Sequence, residues 1–266
     1  MRKKLTVLLL ISCMLMLIPS LAAAKKPDGN KQVVPDSVIN ISKENTYPNP
    51  AQELPYLQPS DLAKELLDTS DEKITNPNLI RILNETSINN APLAFGYRAT
   101  VYLGQWPLRY DSDEASANWE YHKVNVNKID NRGGKAPQRL YYQQEQEKTV
   151  KGALTTKVPH SDDVKKMMLL HAMEQSKLPL SFSTIIGKGT KKDQIYNVAP
   201  KKIGYLNAYV PAVNEKGKVT YGEVYLQLKG NKRSIVVKNV TQQGIGAWIP
   251  IQDHLSFSFT ASDVPK

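Results

Sequence analysis

Histidine is the side chain in this sequence best suited to acid–base or metal chemistry, and the chain has His122, His160, His171 and His254. A strand presents two metal ligands on one face at a spacing of two residues, and a helix does so at a spacing of four. None of these histidines has a second histidine or a cysteine at those spacings. A metal site would therefore have to be assembled by the fold, and His171, on the apolar stripe of a predicted helix, is expected to be a packing residue.

Lysines surround a glycine-rich stretch from Gly187 to Lys192 and recur shortly afterwards. The stretch lacks the spacing G-x-x-x-x-G-K-[ST] of a phosphate-binding Walker loop. We interpret it as a flexible basic loop between strands. If an anionic polymer or a lipid headgroup binds this chain, the expected site is the set Lys188, Lys191, Lys192, Lys201 and Lys202.

The densest acidic cluster, Asp111 to Glu114, lacks the glycine and the distal glutamate of a calcium loop and predicts a solvated turn. The chain also lacks the G-x-S-x-G nucleophile elbow. Carboxylates that are distant in sequence can still be paired by a fold, as in glycosidases, so an enzyme stays an open alternative. The missing motifs favour a non-enzymatic protein, and the sequence predicts no catalytic residue, metal or cofactor.

The first residues have the pattern of a secretory signal peptide. A basic start, Arg2 to Lys4, precedes an apolar run from Leu5 to Pro19, and the small residues Ala22 and Ala24 end it. We expect cleavage after Ala24. The alternatives are an uncut membrane anchor, since the 20 residues from Leu5 to Ala24 could span a bilayer, and a lipoprotein modified at Cys13. All three place the folded part outside the cytoplasmic membrane.

Cys13 is the only cysteine, so the mature chain has no disulfide and must be stabilised by a hydrophobic core. The full chain carries a net charge of +10, and most of that excess remains after cleavage. Outside the membrane, the expected partner of a basic surface is an anionic cell-wall polymer or a lipid headgroup, and not nucleic acid.

The chain divides into a signal peptide (1–24), a proline-rich arm (25–59) and a single β-rich domain (60–266). The arm is expected to be disordered or to lie on the surface. Within the domain, Ser60-Asp61 and Asn76-Pro77 each begin a short helix, and a third helix runs from a capping Ser161 towards Pro179.

Most of the remaining chain alternates apolar and polar residues, which is typical of half-buried strands. The clearest case is a hairpin over residues 219–240, where Gly230-Asn231 predicts a type II′ turn. This turn pairs Leu226 with Ile235, Val224 with Val237, and Glu223 with Lys238. Upstream, Asn214 to Gly217 is predicted to form a type I turn that joins a strand over 203–213 to one beginning at Val219.

Three long stretches carry a family resemblance: Ser42 to Pro50 (SKENTYPNP), Asn197 to Lys232, and Val236 to Phe259. In these stretches the sequence resembles the YfkD-like proteins, which are exported proteins of endospore-forming Gram-positive bacteria. The resemblance implies a cell wall rich in anionic polymer. It implies no activity, cofactor or catalytic residue, and it indicates that the arm is more than a linker.

Together these patterns predict a mainly β (α+β) fold, an antiparallel sandwich-like domain with short N-terminal helices and one inserted helix. The favoured function is a non-enzymatic binding or structural module at the wall or membrane surface. The alternatives are an extracytoplasmic hydrolase that acts on glycan or lipid, and a small-lipid carrier.

Overall fold

The structure, a computed structural model, describes residues 33–51, 58–86 and 96–265. The predicted signal peptide, its cleavage site at Ala24 and Cys13 lie outside these residues. Three helices and ten strands follow in chain order: β1 (Val38–Asn40), α1 (Asp61–Asp68), α2 (Pro77–Asn84), β2 (Arg98–Asp130), β3 (Gln138–Gln143), β4 (Lys148–Lys151), β5 (Ala153–Leu154), α3 (Ser161–Ser176), β6 (Ser183–Ile186), β7 (Lys191–Val198), β8 (Ile203–Lys229), β9 (Lys232–Pro250) and β10 (His254–Ser262).

Strand β8 is the centre of a six-stranded antiparallel sheet. Along one edge, β2 pairs with β8 from Ile203 to Lys229, with several bulges. Along the other edge, β10 pairs with the first part of β8 and β9 with the remainder. Strands β1 and β5 add to the outer edges of β10 and β9, while β3 pairs with β7 and β4 with β6 in two small sheets.

The buried face of β8 changes twice along the strand. Leu206, Ala208 and Val210 face a first core; Val213, Val219 and Tyr221 face a second; Val224 and Leu226 face a third. Successive strand residues point to opposite faces, so the even, odd and then even numbering means that the three cores lie on alternate faces of the sheet. Both faces are buried over residues 210–213 and 219–222, where one core gives way to the next.

Different elements cover the three cores. The small sheets contribute Tyr142 and Ile186 to the first core, α3 contributes Val164 and Met168 to the second, and α1 and α2 contribute side chains such as Leu66 to the third. The prediction of a mainly β, antiparallel fold with short front helices and one inserted helix is confirmed. Sheet packs on sheet over the first core, whereas helices cover the other two.

The hairpin prediction is confirmed in its register. Leu226 pairs with Ile235, Val224 with Val237 and Glu223 with Lys238. Gly230 has a φ of +58° and Asn231 is not in the left-handed region, as a type II′ turn requires.

Three local predictions are wrong. Asn214 to Gly217 is not a turn, because β8 continues through it, and the acidic cluster from Asp111 to Glu114 lies inside β2. In both cases pairing along the long β2–β8 ladder overrides the turn preference of the residues. Ser161 is the first residue of α3 and does not cap it; His160, in a left-handed conformation, precedes the helix without a side-chain cap.

The described part of the proline-rich arm belongs to the folded domain. Ile41 is fully buried in the first core. The side-chain nitrogens of Asn45 and Asn49 each donate to the carbonyl of Ile185 and to Asp253 Oδ1, at 2.7–2.9 Å. The stretch Ser42 to Pro50 therefore fastens the arm to β6 and to the start of β10.

A glycine in the middle of β8 makes a sharp test of this packing. A Cβ on Gly217 would lie 2.2 Å from the Asp111 carbonyl oxygen and 2.7 Å from Tyr110 Oη, whereas a Cβ on Gly244, in the neighbouring strand, would meet nothing within 4 Å. We expect Gly217→Ala to lower the free energy of unfolding by about 1–3 kcal/mol. Gly244→Ala should change it by about 0.5 kcal/mol or less. Chemical denaturation measures both, and equal effects would contradict the packing described for Gly217.

Candidate functional site

The structure places the five predicted polyanion-binding lysines in two groups. Lys188 lies in the β6–β7 turn and Lys191 and Lys192 begin β7, whereas Lys201 and Lys202 follow the end of that strand. The eight residues of β7 separate the groups by about 23 Å at the usual rise of a strand. The lysines therefore do not form one continuous patch.

The stretch predicted as a flexible loop is a hydrogen-bonded turn that packs against the arm. Thr190 is fully buried, and its hydroxyl lies 2.8 Å from the carbonyl of Gly187. Lys192 is 2.5 Å from Glu44 and also donates to a carbonyl of the arm. This lysine therefore helps to hold the arm, which reduces the charge it can offer to a ligand.

The second lysine group lies beside a part of the main sheet that we call the tyrosine–lysine face. Its β2 residues are exposed, whereas its β8 and β10 residues are buried or partly buried. The face comprises three residues from each of three neighbouring strands: Lys123, Val126 and Lys128 of β2, Tyr205, Asn207 and Tyr209 of β8, and Ser256, Ser258 and Thr260 of β10. Their register gives three straight rows across the strands. None of the three cores described above contains any of these residues.

Cations on this face lie over aromatic rings. Lys128 Nζ is 5.6 Å from the ring centroid of Tyr205, and Lys123 Nζ is 5.4 Å from that of Tyr209. Neither lysine has an ion-pair partner within the part of the chain that the structure describes. Each ring attracts its ammonium group without neutralising it, so both positive charges remain available to a ligand.

The surroundings of the face add further basic groups. Arg132 pairs with Asp130 at 2.7 Å and lowers the pKa of that carboxyl to about 2, and Lys202 pairs with Asp263 at 2.7 Å. Lys201 is exposed and lies in the turn directly before Lys202. The acidic residues beside the face are thus matched by cations, while Lys123, Lys128 and Lys201 give it an excess of positive charge.

A different site lies on the helical side of the second core. An open cleft of about 950 Å³ runs between α2, α3 and the segment that leads into α2. Its wall mixes apolar side chains with polar ones, which are Gln58, Lys73, Thr75, His171 and Glu174. Tyr110 also lines the cleft.

Behind this wall lies a buried carboxylate. Glu215 of β8 is 0% exposed, and Tyr110 Oη lies 2.9 Å from its Oε1. His171 Nδ1 is 3.4 Å from the same oxygen, while Oε2 has no partner among the described residues. Gly217 makes this arrangement possible, since its missing side chain leaves room for the ring of Tyr110 above the strand.

Interactions with Glu215 shift the acid–base chemistry of both neighbours. The contact with the Glu215 carboxylate raises the pKa of His171 above its usual range, against the opposing effect of burial. Burial, followed by the charge of Glu215, raises the pKa of the Tyr110 hydroxyl, which stays protonated. The group is therefore a buried glutamate contacted by an imidazole and a phenol.

Sequence reasoning missed this group because Asn214-Glu215-Lys216-Gly217 has the composition of a turn. The available signal was the alternation of Val213, Val219 and Tyr221, which continues on one face through Glu215 and Gly217. Of the other histidines, His160 stacks on Trp106 and His254 Nδ1 lies 2.8 Å from the Gln252 carbonyl. The described residues contain no group of three metal-ligating side chains.

Comparison with known proteins identifies the family. A YfkD-like protein family model matches residues 35–266. The chain belongs to the YfkD-like family. It is 66% identical over 233 residues to "Uncharacterized protein YfkD" of Bacillus subtilis (strain 168), a match that covers 88% of each chain. No solved structure matches the chain.

The match to the YfkD-like family includes the described arm from residue 35 onward, the tyrosine–lysine face and the cleft. Neither the family description nor the name of the relative states an activity. Among the residues that the structure describes, none of the helices is long and apolar enough to cross a membrane.

The raised pKa of His171 predicts a pH dependence of stability. A histidine whose pKa is raised in the folded state stabilises the fold fully at pH values below its unfolded pKa of about 6.5. This stabilisation is lost as the pH rises through the folded-state pKa. We therefore expect the free energy of unfolding to be higher for wild type than for His171→Gln. This difference should be largest near pH 6 and should shrink towards pH 9. Urea denaturation at each pH measures this difference.

Two further variants test the cause of that pH dependence. In a Glu215→Gln background the pH-dependent difference should largely disappear, because the carboxylate that raises the pKa is gone. His122→Gln, at an exposed position on β2, is the matched control and should leave the wild-type profile unchanged. A difference that stays constant from pH 6 to pH 9 would contradict the pairing of His171 with Glu215.

Proposed function

We propose that this protein is exported and acts in the cell envelope as a non-enzymatic binding module. Its tyrosine–lysine face would bind an anionic polymer of the wall, or the anionic headgroups of the membrane surface. The observation that carries this proposal is the pair of exposed lysines, Lys123 and Lys128, which lie over tyrosine rings and have no ion-pair partner among the described residues.

The geometry of the face suits an extended ligand with repeating charge. Residues on one face of a strand recur about every 6.6 Å, so the first and third rows present the ammonium groups of Lys123 and Lys128 at a regular spacing. The rings of Tyr205 and Tyr209 limit the directions in which the lysines point. A polymer lying along β8 would meet a cation at the first and third rows and hydrogen-bonding groups between them.

Export is supported by the basic, apolar and small-residue pattern of residues 1–24. We expect the mass of the protein secreted by a Gram-positive host to correspond to a chain that begins at Lys25. A mass that includes a lipid on Cys13 would instead favour the lipoprotein alternative, and an intact N-terminus would favour an uncut anchor.

The alternatives receive less support from the described residues. A hydrolase with two carboxylates needs both of them in its cleft, but Glu174 lines the wall while Glu215 is buried behind it. A lipid carrier needs a long apolar cavity, whereas the cleft is open and carries charged groups on its wall.

Charge removal from the face tests the proposal directly. We expect the double variant Lys123→Gln, Lys128→Gln to elute from immobilised inorganic polyphosphate at lower salt than wild type. The slope of log affinity against log salt should fall by about two, near one for each phosphate that the variant no longer neutralises. Salt-gradient elution and binding titrations at several salt concentrations measure both quantities.

The matched control is Lys148→Gln, Lys151→Gln, which removes two exposed lysines from β4 and leaves the face intact. It should elute close to wild type. Equal reductions in retention for the two double variants would mean that net charge alone drives binding, and absence of wild-type retention at low salt would refute the proposal.

A further inference from the structure

The buried carboxylate of Glu215 is costly, and its effect reaches the cleft through His171. Removing a carboxylate from water costs several kcal/mol, and a paired charge recovers that cost only in part. An apolar residue at position 215 would suit the second core better. Glu215 contacts Nδ1 of His171, whose side chain is 31% exposed and lines the cleft. This leaves Nε2 as the ring nitrogen that Glu215 does not contact.

The remainder of the wall divides by chemistry. Ile74, Ile80, Met167, Leu170 and Met173 supply apolar surface, and the two methionines can adapt their shape to a ligand. The volume, about 950 Å³, is in the upper range for sites that take small organic molecules. The cleft therefore suits a ligand with a substantial apolar part.

Two opposite charges line the same cleft without neutralising each other. Lys73 and Glu174 both contribute to the wall, and neither forms an ion pair or a side-chain hydrogen bond with the residues described in the structure. A purely anionic ligand would meet the carboxylate of Glu174, and a purely cationic ligand would meet Lys73. A molecule with one charge of each sign can pair with both of these side chains.

We propose that the cleft binds a zwitterionic molecule with an apolar body, namely a short peptide with free ends and aliphatic side chains. Its carboxylate interacts with Lys73, and its ammonium group interacts with Glu174. The aliphatic side chains lie against the isoleucine and methionine wall. This site is separate from the tyrosine–lysine face and does not depend on polymer binding there.

A matched set of dipeptides tests the assignment with the purified mature chain. The probes are leucyl-leucine, its N-acetyl derivative, which lacks the ammonium group, and its C-terminal amide, which lacks the carboxylate. Titration followed by NMR chemical shifts of residues in α3 gives the three dissociation constants. We expect the free dipeptide to bind about two- to fivefold more tightly than either blocked form, the scale of one partly screened ion pair.

Variants then assign each end of the ligand to its partner. Lys73→Gln should remove the preference for the free carboxylate and keep the preference for the free ammonium group, while Glu174→Gln should do the reverse. Lys177→Gln, just after α3 and outside the cleft, should leave both preferences unchanged. All three positions are exposed, so thermal unfolding should match that of wild type.

Three outcomes would overturn the proposal. The first is that leucyl-leucine at millimolar concentration causes no change in the NMR chemical shifts. The second is equal binding of the free and blocked dipeptides. The third is that the end-group preferences persist in both Lys73→Gln and Glu174→Gln. A normal result in the polyphosphate experiment alongside any of these would leave the proposed envelope function standing and reject the peptide site alone.

Discussion

The rest of the structure depends on one constraint: β8 has to bury first one face, then the other, then the first again. A strand of 27 residues that kept a single buried face would need one continuous covering layer. Here the small sheets, α3, and the pair α1 and α2 cover successive parts from alternate sides. The stretches 210–213 and 219–222, buried on both faces, are the points where any change of side-chain volume affects two cores at once.

Glu215 lies between those two switch points, on the face that α3 covers. Its burial ties three elements together, since Tyr110 comes from β2, His171 from α3 and the carboxylate from β8. Removing one partner of such a group leaves another polar group buried and unpaired, which costs more than the intact group contributes. The polar group thus fixes how α3 sits on the sheet, and it also raises the pKa of the His171 side chain that lines the cleft.

The features that could be predicted from the sequence are those whose signals lie within one short segment of the chain. The hairpin at Gly230 was predictable down to its register because turn chemistry and alternation agreed within one short segment. Asn214 to Gly217 failed because the local turn preference was opposed by pairing with β2, whose partner residues lie about a hundred positions earlier in the chain. For the same reason Glu215, Tyr110 and His171 could not be grouped from sequence: their contact exists only once three distant segments meet. The sequence predicted a basic binding site that includes Lys201 and Lys202. It did not reveal the tyrosines of the tyrosine–lysine face, because the strand register is needed to bring them together.

The alternation of cores also explains why polar residues occupy one face of the first part of β8. Tyr205, Asn207 and Tyr209 share the odd face of β8 with Val213 and Glu215, which α3 covers. Because the first core occupies the even face at residues 206–210, no apolar layer is needed over the odd face there, and polar residues can occupy it. The same change of face that leaves the tyrosine–lysine rows outside the three cores brings α3 onto the sheet beyond Val213, and with it the cleft. Both proposed binding surfaces are therefore consequences of the first switch point, and substitutions at residues 210–213 that shift it are expected to disturb both surfaces together.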